Sequence, residues 1–161
     1  MSYLIKKVGI SEKEDVLAIY NSLKGSYGCT WHEDYPVMEN VEWDISTNAL
    51  YGVYDNGKLI AVATATTDDL PASLNCWNPS MRNACELARI GVIKEYQNHG
   101  IAKTLIQFIE ADVAKQGFDG IHFLVSKTNP YAIRLYDSLG YRCCGETHLF
   151  DIDWFCYEKN L

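Results

Sequence analysis

The stretch "ELARIGVIKEYQNHGIAKTLI" occupies residues 86–106. Its first third is apolar and β-branched towards its end, as in a strand. Its last third carries apolar residues at helical spacing. Between them stand Gln97, Asn98 and His99, with Gly100 and the small Ala102 in the first helical turn. Core packing does not ask for that arrangement. A strand feeding a helix through a short polar turn aims free N–H groups, and the positive end of the helix dipole, at one spot. An anionic ligand fits there, and Gly100 lets it approach the backbone. An ordinary structural turn would account for the same residues.

Working outward, "YLIKKV" reads as a first strand. Ser11 and Glu14 form a capping-box pattern ahead of a helix over Val16, Leu17, Ile19, Tyr20 and Leu23, stopped by Gly25. "GSYGCTWHEDYP" reads as a loop and "VMENVEWDIST" as a second helix. "LYGVYD" and "KLIAVATAT" are joined by Asn56-Gly57, which predicts a hairpin with a type I′ turn. An irregular loop spans 68–83. The helix after His99 is expected to bury Ile101, Leu105, Phe108, Ile109 and Val113 and to end at Gly117. "GIHFLVS" is a further strand, and Asn129-Pro130 opens a helix that stops at Gly140. "YRCCGETHLF" and "DIDWFCYEK" close the chain as paired strands. The order β-α-α-β-β-β-α-β-α-β-β predicts a mixed sheet.

With 161 residues, one domain over 1–161 is the simplest organisation. No run reaches membrane-spanning length and the N-terminus lacks a cleavage signal, so a cytoplasmic location is expected. Six cysteines form no CxxC pair, which favours reduced, mostly buried thiols over disulfides or zinc. His32, His99, His122 and His148 show no ligand spacing, so no metal is expected. The net charge is −7, and residues 31–86 hold nine acids against Lys58 and Arg82. That excess argues against nucleic acid and suits a cationic partner. Solubility alone would explain it equally well.

The quoted stretch resembles the signature of the GCN5-related N-acetyltransferase (GNAT) superfamily, Gln/Arg-x-x-Gly-x-Gly/Ala after a strand, with Gln97, Gly100 and Ala102 in register. "NPYAIRLYDSLGYR" is similar to the family's second segment at Asn129, Ala132, Tyr136, Gly140 and Tyr141. Lys94 and Asn98 depart from the pattern, where proline and glycine are common. The resemblance implies an α/β (α+β) GNAT fold: a central, mixed, mostly antiparallel twisted sheet of about seven strands flanked by about four helices.

It also implies roles. Acetyl-coenzyme A would be the co-substrate, its pyrophosphate held by N–H groups of Asn98, His99, Gly100, Ala102 and Lys103, with Gln97 marking the register. Ile90 N–H would face the thioester oxygen, Val92 the pantetheine arm, and Asn129, followed by Ala132, would bond that arm. Tyr136 would protonate the departing thiolate; a packed helix tyrosine is the competing reading. Glu86 would be the base, on a strand face shared with Ala88, Ile90 and Val92 and opposite Cys85. An ordered water is an equal alternative, with Glu33 and Asp34 behind it. Trp31, Trp43 and Trp77 lie in or near acceptor-shaping segments, where simple packing would equally place them.

The implied activity is acetyl transfer to a primary amine of a small cationic acceptor by direct attack. The alternatives are a protein N-terminus or lysine as acceptor, or a non-catalytic acyl-coenzyme A sensor. A homodimer through the C-terminal strands is compatible with the pattern, and no membrane partner is implied.

Overall fold

A computed structural model describes residues 2–67 and 69–161, so Met1 and Asp68, the first residue of the expected 68–83 loop, lie outside the described residues. Seven strands form one sheet: β1 (Leu4–Lys7), β2 (Leu50–Asp55), β3 (Lys58–Thr66), β4 (Ala84–Val92), β5 (Gly120–Ser126), β6 (Arg142–Leu149) and β7 (Ile152–Asn160). Their spatial order is β1-β2-β3-β4-β5-β7-β6. Only β4 and β5 are parallel, and every other neighbouring pair is antiparallel. The helices are α1 (Lys13–Leu23), α2 (Met38–Ser46), a single turn α3 (Asp69–Ala72), α4 (Ile101–Lys115) and α5 (Pro130–Ser138). The fold is the mixed, mostly antiparallel α/β architecture that the resemblance implies, with α3 as the one helix among the described residues that the sequence pattern does not announce.

Both faces of the sheet are covered, which is why β3 buries an unbroken run from Leu59 to Thr64. One core packs Tyr51, Val53, Ala61, Ala63, Cys85, Leu87, Ile121 and Phe123 against α4 and α5. The other packs Leu50, Leu59 and Val62 against Val16, Ile19, Tyr20 and Leu23 of α1 and Val41 of α2. The Asn56-Gly57 hairpin forms as expected, with φ of 49° and 83° at its two turn residues.

Three local expectations are corrected. The turn before α1 is capped at Gly9 and Glu12 rather than at Ser11 and Glu14: Gly9 N–H donates to Glu12 Oε1 at 3.5 Å and Glu12 N–H to Gly9 O at 3.0 Å. A 3-10 turn over Ile10–Glu12 moves the start of the helix to Lys13. On α4 the buried side is Ile101, Leu105, Ile106, Ile109 and Val113, whereas Phe108 is exposed with its ring edge-on to Tyr51. Among the free cysteines only Cys85 and Cys156 are buried, and Cys143 is exposed.

Candidate active site

The parallel contact between β4 and β5 is short. It holds Ala84, Cys85 and Glu86 opposite Gly120, Ile121 and His122, and then the strands part. Residues 87–92 of β4 and 123–126 of β5 therefore line a wedge-shaped slot with its apex at Glu86 and His122.

Within the slot β4 is kinked. Its register with β3 jumps between Val62 and Thr64, and Arg89 sits at φ 47°. A bulge inserts one extra residue and turns the side chains that follow. Arg89 can hold this sparsely populated conformation because its side chain is clamped. Its Nε and an Nη donate to the two carboxylate oxygens of Asp44 on α2, each at 2.7 Å, and its other Nη donates to Tyr35 Oη at 3.0 Å. Thr64 Oγ1 donates to the same carboxylate at 3.0 Å, and Asp44 is fully buried. Burial opposes the charged guanidinium, but Asp44 and Tyr35 outweigh it and raise its pKa above the ordinary value.

The bulge overturns the shared face expected for Glu86, Ala88, Ile90 and Val92. Cys85 and Leu87 face α4, so Glu86 faces α1 and α2 by alternation. After the bulge Arg89 and Gly91 take the α1/α2 side, with Gly91 against Leu23, Ile19 and Trp31, whereas Ile90 and Val92 pack on the α4 side. Glu86 and Ile90 thus stand on opposite faces of the strand. Cys85 does point away from Glu86.

At the wide end of the slot, a 3-10 turn over Lys94–Tyr96 leads to Gln97, whose side chain donates to Val92 O at 2.9 Å. Asn98 has φ 63° and Gly100 φ 77°. Asparagine tolerates the left-handed region that glycine otherwise supplies, which accounts for Asn98 where glycine is common. His99 Nδ1 meets Gln97 O at 2.7 Å, so its ring folds back over the turn. Thr104 is the first residue of α4 whose N–H reaches back to a carbonyl, that of Gly100 at 3.0 Å. The N–H groups of residues 101–103 are left without an intrahelical acceptor. A Cβ at Gly100 would meet nothing within 4 Å, so the turn opens onto free space. An extended ligand with a terminal anion fits this combination of open cradle and unpaired strand edges.

On the α4 side, Asn129 caps α5 by accepting from Ala132 N–H at 3.2 Å, and Gly28 of the loop after α1 packs against it. Tyr136 lies on α5 over Phe123, ring centroids 4.4 Å apart, with Tyr141 and Tyr157 beside it. It is 8% exposed, and burial pushes its phenol well above the ordinary value, so it keeps its proton at neutral pH. Glu33 and Asp34 lie in an exposed turn bridged by His32 and Tyr35. Trp43 is exposed on α2, and Trp31 stacks edge-on to Tyr20.

One feature of the apex escapes sequence reasoning. Thr66, Glu86, His122, Glu158 and Arg142 are successive register partners across β3, β4, β5, β7 and β6. Directly opposed residues share a face, so these side chains form one polar row on the α1/α2 side. Trp77 from the loop after α3 covers it, its ring 4.4 Å from that of His122. No spacing along the chain reveals such a row; only the strand order does.

Among the described residues, no helix is long and apolar enough to cross a membrane and no cluster suited to a metal ion occurs. A model described as the acetyltransferase (GNAT) family matches residues 16–141. The chain is 28% identical over 76 residues to N-acetyltransferase 8 of Rattus norvegicus, a match covering 47% of this chain and 34% of that protein. The matched segment thus spans about a third of that curated relative's length. The ribosomal-protein-S18-alanine N-acetyltransferase of Escherichia coli superposes with a TM-score of 0.76 at 17% identity, over 99% of this chain and 94% of that one. The PaiA N-acetyltransferase of Thermoplasma acidophilum, solved with coenzyme A, gives 0.74 at 20% identity over 100% of both chains.

Proposed function

The chain belongs to the GNAT acetyltransferase family, and on that premise we propose that it moves an acetyl group from acetyl-coenzyme A to the primary amine of a small cationic acceptor. The observation that carries this reading is the slot between β4 and β5, with the open cradle at one end and Tyr136 over β5. Acetyl-coenzyme A supplies the activated acetyl group as a thioester. The N–H groups of Asn98, His99, Gly100, Ala102 and Lys103, with Gln97, Asn129 and Ala132, would hold and orient it, and Val92 would line its arm. Ile90 follows the bulge on the unpaired stretch of β4, and its N–H would polarise the thioester oxygen. Tyr136 would hold the proton that the departing thiolate takes. Glu86, on the opposite face, would meet the acceptor or a water beside it. The acidic 31–86 segment supports a positively charged acceptor, and the free cysteines support a reducing, cytoplasmic setting.

The test is thiol release from acetyl-coenzyme A with a panel of polyamines, amino acids, amino sugars and peptides bearing a free N-terminus or lysine. Release stimulated by small cationic amines is expected. Stimulation by peptides alone would replace the small acceptor with a protein. Tight coenzyme A binding without acceptor-dependent release across the panel would replace transfer with sensing.

A further inference from the structure

We propose that His122 takes the proton from the acceptor's ammonium group, at the centre of the polar row that crosses the apex of the slot. The inference rests on the transfer reading above and assigns one step of it.

Position comes first. Glu86 and His122 form the last register pair before β4 and β5 part, so the imidazole stands at the apex of the slot, where on the transfer reading the acceptor's nitrogen would meet the acetyl group. His122 faces the α1/α2 side, whereas its neighbour Phe123 faces Tyr136. The proton acceptor and the proton donor therefore lie on opposite sides of the sheet, with the slot between them. An amine that reaches His122 from the α1/α2 side must pass Trp77, which covers the ring there, but displaces nothing held against α4.

The surroundings of the ring are organised. Glu86 flanks it on β4 and Glu158 on β7; behind Glu158 stand Arg142 and Cys144 of β6, with Cys76 of the covering loop near Cys144. Both carboxylate oxygens of Glu158 are engaged, Oε2 by Arg142 at 2.6 Å and Oε1 by Asn78 N–H at 2.8 Å. The carboxylate is thereby fixed beside the imidazole, where its charge acts on the ring. Trp77 lies over the ring at a 32° tilt and is itself anchored by donating from Nε1 to Pro71 O at 2.6 Å. His122 is 6% exposed, and its buried Nδ1 meets no hydrogen-bond partner among the described residues. An unpaired buried nitrogen is costly in a residue that only packs. It is useful in one that must accept a proton. Burial lowers the imidazole's pKa and the charge of Glu158 opposes that, so the ring is neutral at physiological pH and able to accept. An imidazole also suits proton transfer near neutrality better than a carboxylate of ordinary acidity.

The balance closes. The ammonium loses one proton to His122, which makes the nitrogen lone pair available. The N–C bond to the acetyl carbon forms and the C–S bond breaks. The thiolate takes the phenolic proton of Tyr136, and the second proton leaving the amine restores that phenol. His122 then returns its proton to solvent.

The experiment is the pH dependence of kcat/KM from about pH 5 to about pH 9, with the best amine of the panel, for wild type, His122→Gln and Glu86→Gln. His122→Gln is expected to lower kcat/KM by about 10²-fold at neutral pH and to abolish the acidic limb. Acetyl-coenzyme A affinity should stay within about twofold of wild type. An acidic limb that persists in His122→Gln, or that disappears only in Glu86→Gln, overturns the proposal while leaving the transfer reading intact. A wild type with no acceptor-dependent release removes both. Should the variant fail to fold, sequence-specific NMR titration of His122 in the wild-type protein decides the matter. Its midpoint must coincide with the acidic limb, and a separation greater than about one pH unit overturns the assignment.

Discussion

Arg89 and Asp44 are joined by two hydrogen bonds of 2.7 Å, so the residue that kinks β4 is fixed by its own side chain to the last turn of α2. Backbone geometry at the slot is in this way set by a helix on the other side of the strand. Asp44 is fully buried and the Arg89 side chain nearly so, and Thr64 and Tyr35 add one further hydrogen bond to each partner.

Removing one member should therefore be far worse than removing both. Asp44→Ala leaves a guanidinium without its counter-charge and is expected to cost about 3–5 kcal/mol in urea denaturation. The double variant Asp44→Leu with Arg89→Met should recover much of that loss. A single variant costing no more than an exposed ion pair, below about 1 kcal/mol, would contradict the clamp.

Tyr136→Phe keeps the ring in its aromatic cluster and deletes only the hydroxyl. Turnover should fall by about 10²-fold while calorimetric affinity for acetyl-coenzyme A stays unchanged. Undiminished turnover removes Tyr136 from the reaction.

At Asn98 the backbone decides what is tolerated. Asn98→Gly should bind acetyl-coenzyme A as wild type does, because both residues accept φ near 63°. Asn98→Val places a β-branched residue in the left-handed region at a cost of about 1–2 kcal/mol. Affinity should drop roughly tenfold if the cradle must keep its shape to bind. Equal affinity in the two variants would show that the turn does not contact the phosphates.

Stability should fall with acid in two windows. His122 has its folded pKa lowered below the ordinary 6.5 by burial, despite the opposing charge of Glu158. Its contribution is complete above that value and is lost as pH falls through the folded value. For Glu158, burial pushes the carboxyl up, but Asn78 N–H, Arg142 and Cys144 outweigh it and hold the folded value below 4.5. Its contribution is likewise present above 4.5 and lost as pH drops further. Denaturation midpoints measured against pH should show both, with the upper window flattened in His122→Gln and the lower in Glu158→Gln.

The strand–turn–helix of 86–106, the hairpin at Asn56-Gly57 and the cap at Asn129 are legible in the sequence because each is a local event written in adjacent residues. What is not legible depends on partners far along the chain. The bulge at Arg89 breaks the period-two reading that put Glu86 and Ile90 on one face, and its cause is Asp44, 45 residues away. Phe108 fits a helical stripe as well as Ile106 does, and only the position of Tyr51 decides between them. His122 and Glu158 become neighbours because β7 inserts between β5 and β6, an order that no motif spells out.

The three-pair contact between β4 and β5 makes the sheet two half-sheets, β1–β4 and β5–β7–β6, joined along a seam three residues in length. Past that seam, each half presents a row of amides that no strand completes. On the proposed reading, a co-substrate bound in the gap would take the place of the absent strand and tie the halves together. Protein stability would then become a function of co-substrate concentration, gaining about 2.7 kcal/mol at a hundredfold excess over Kd. Amide exchange along 87–92 and 123–126 would slow with it, so the molecule would finish its own sheet each time it loads and leave it unfinished each time it lets go.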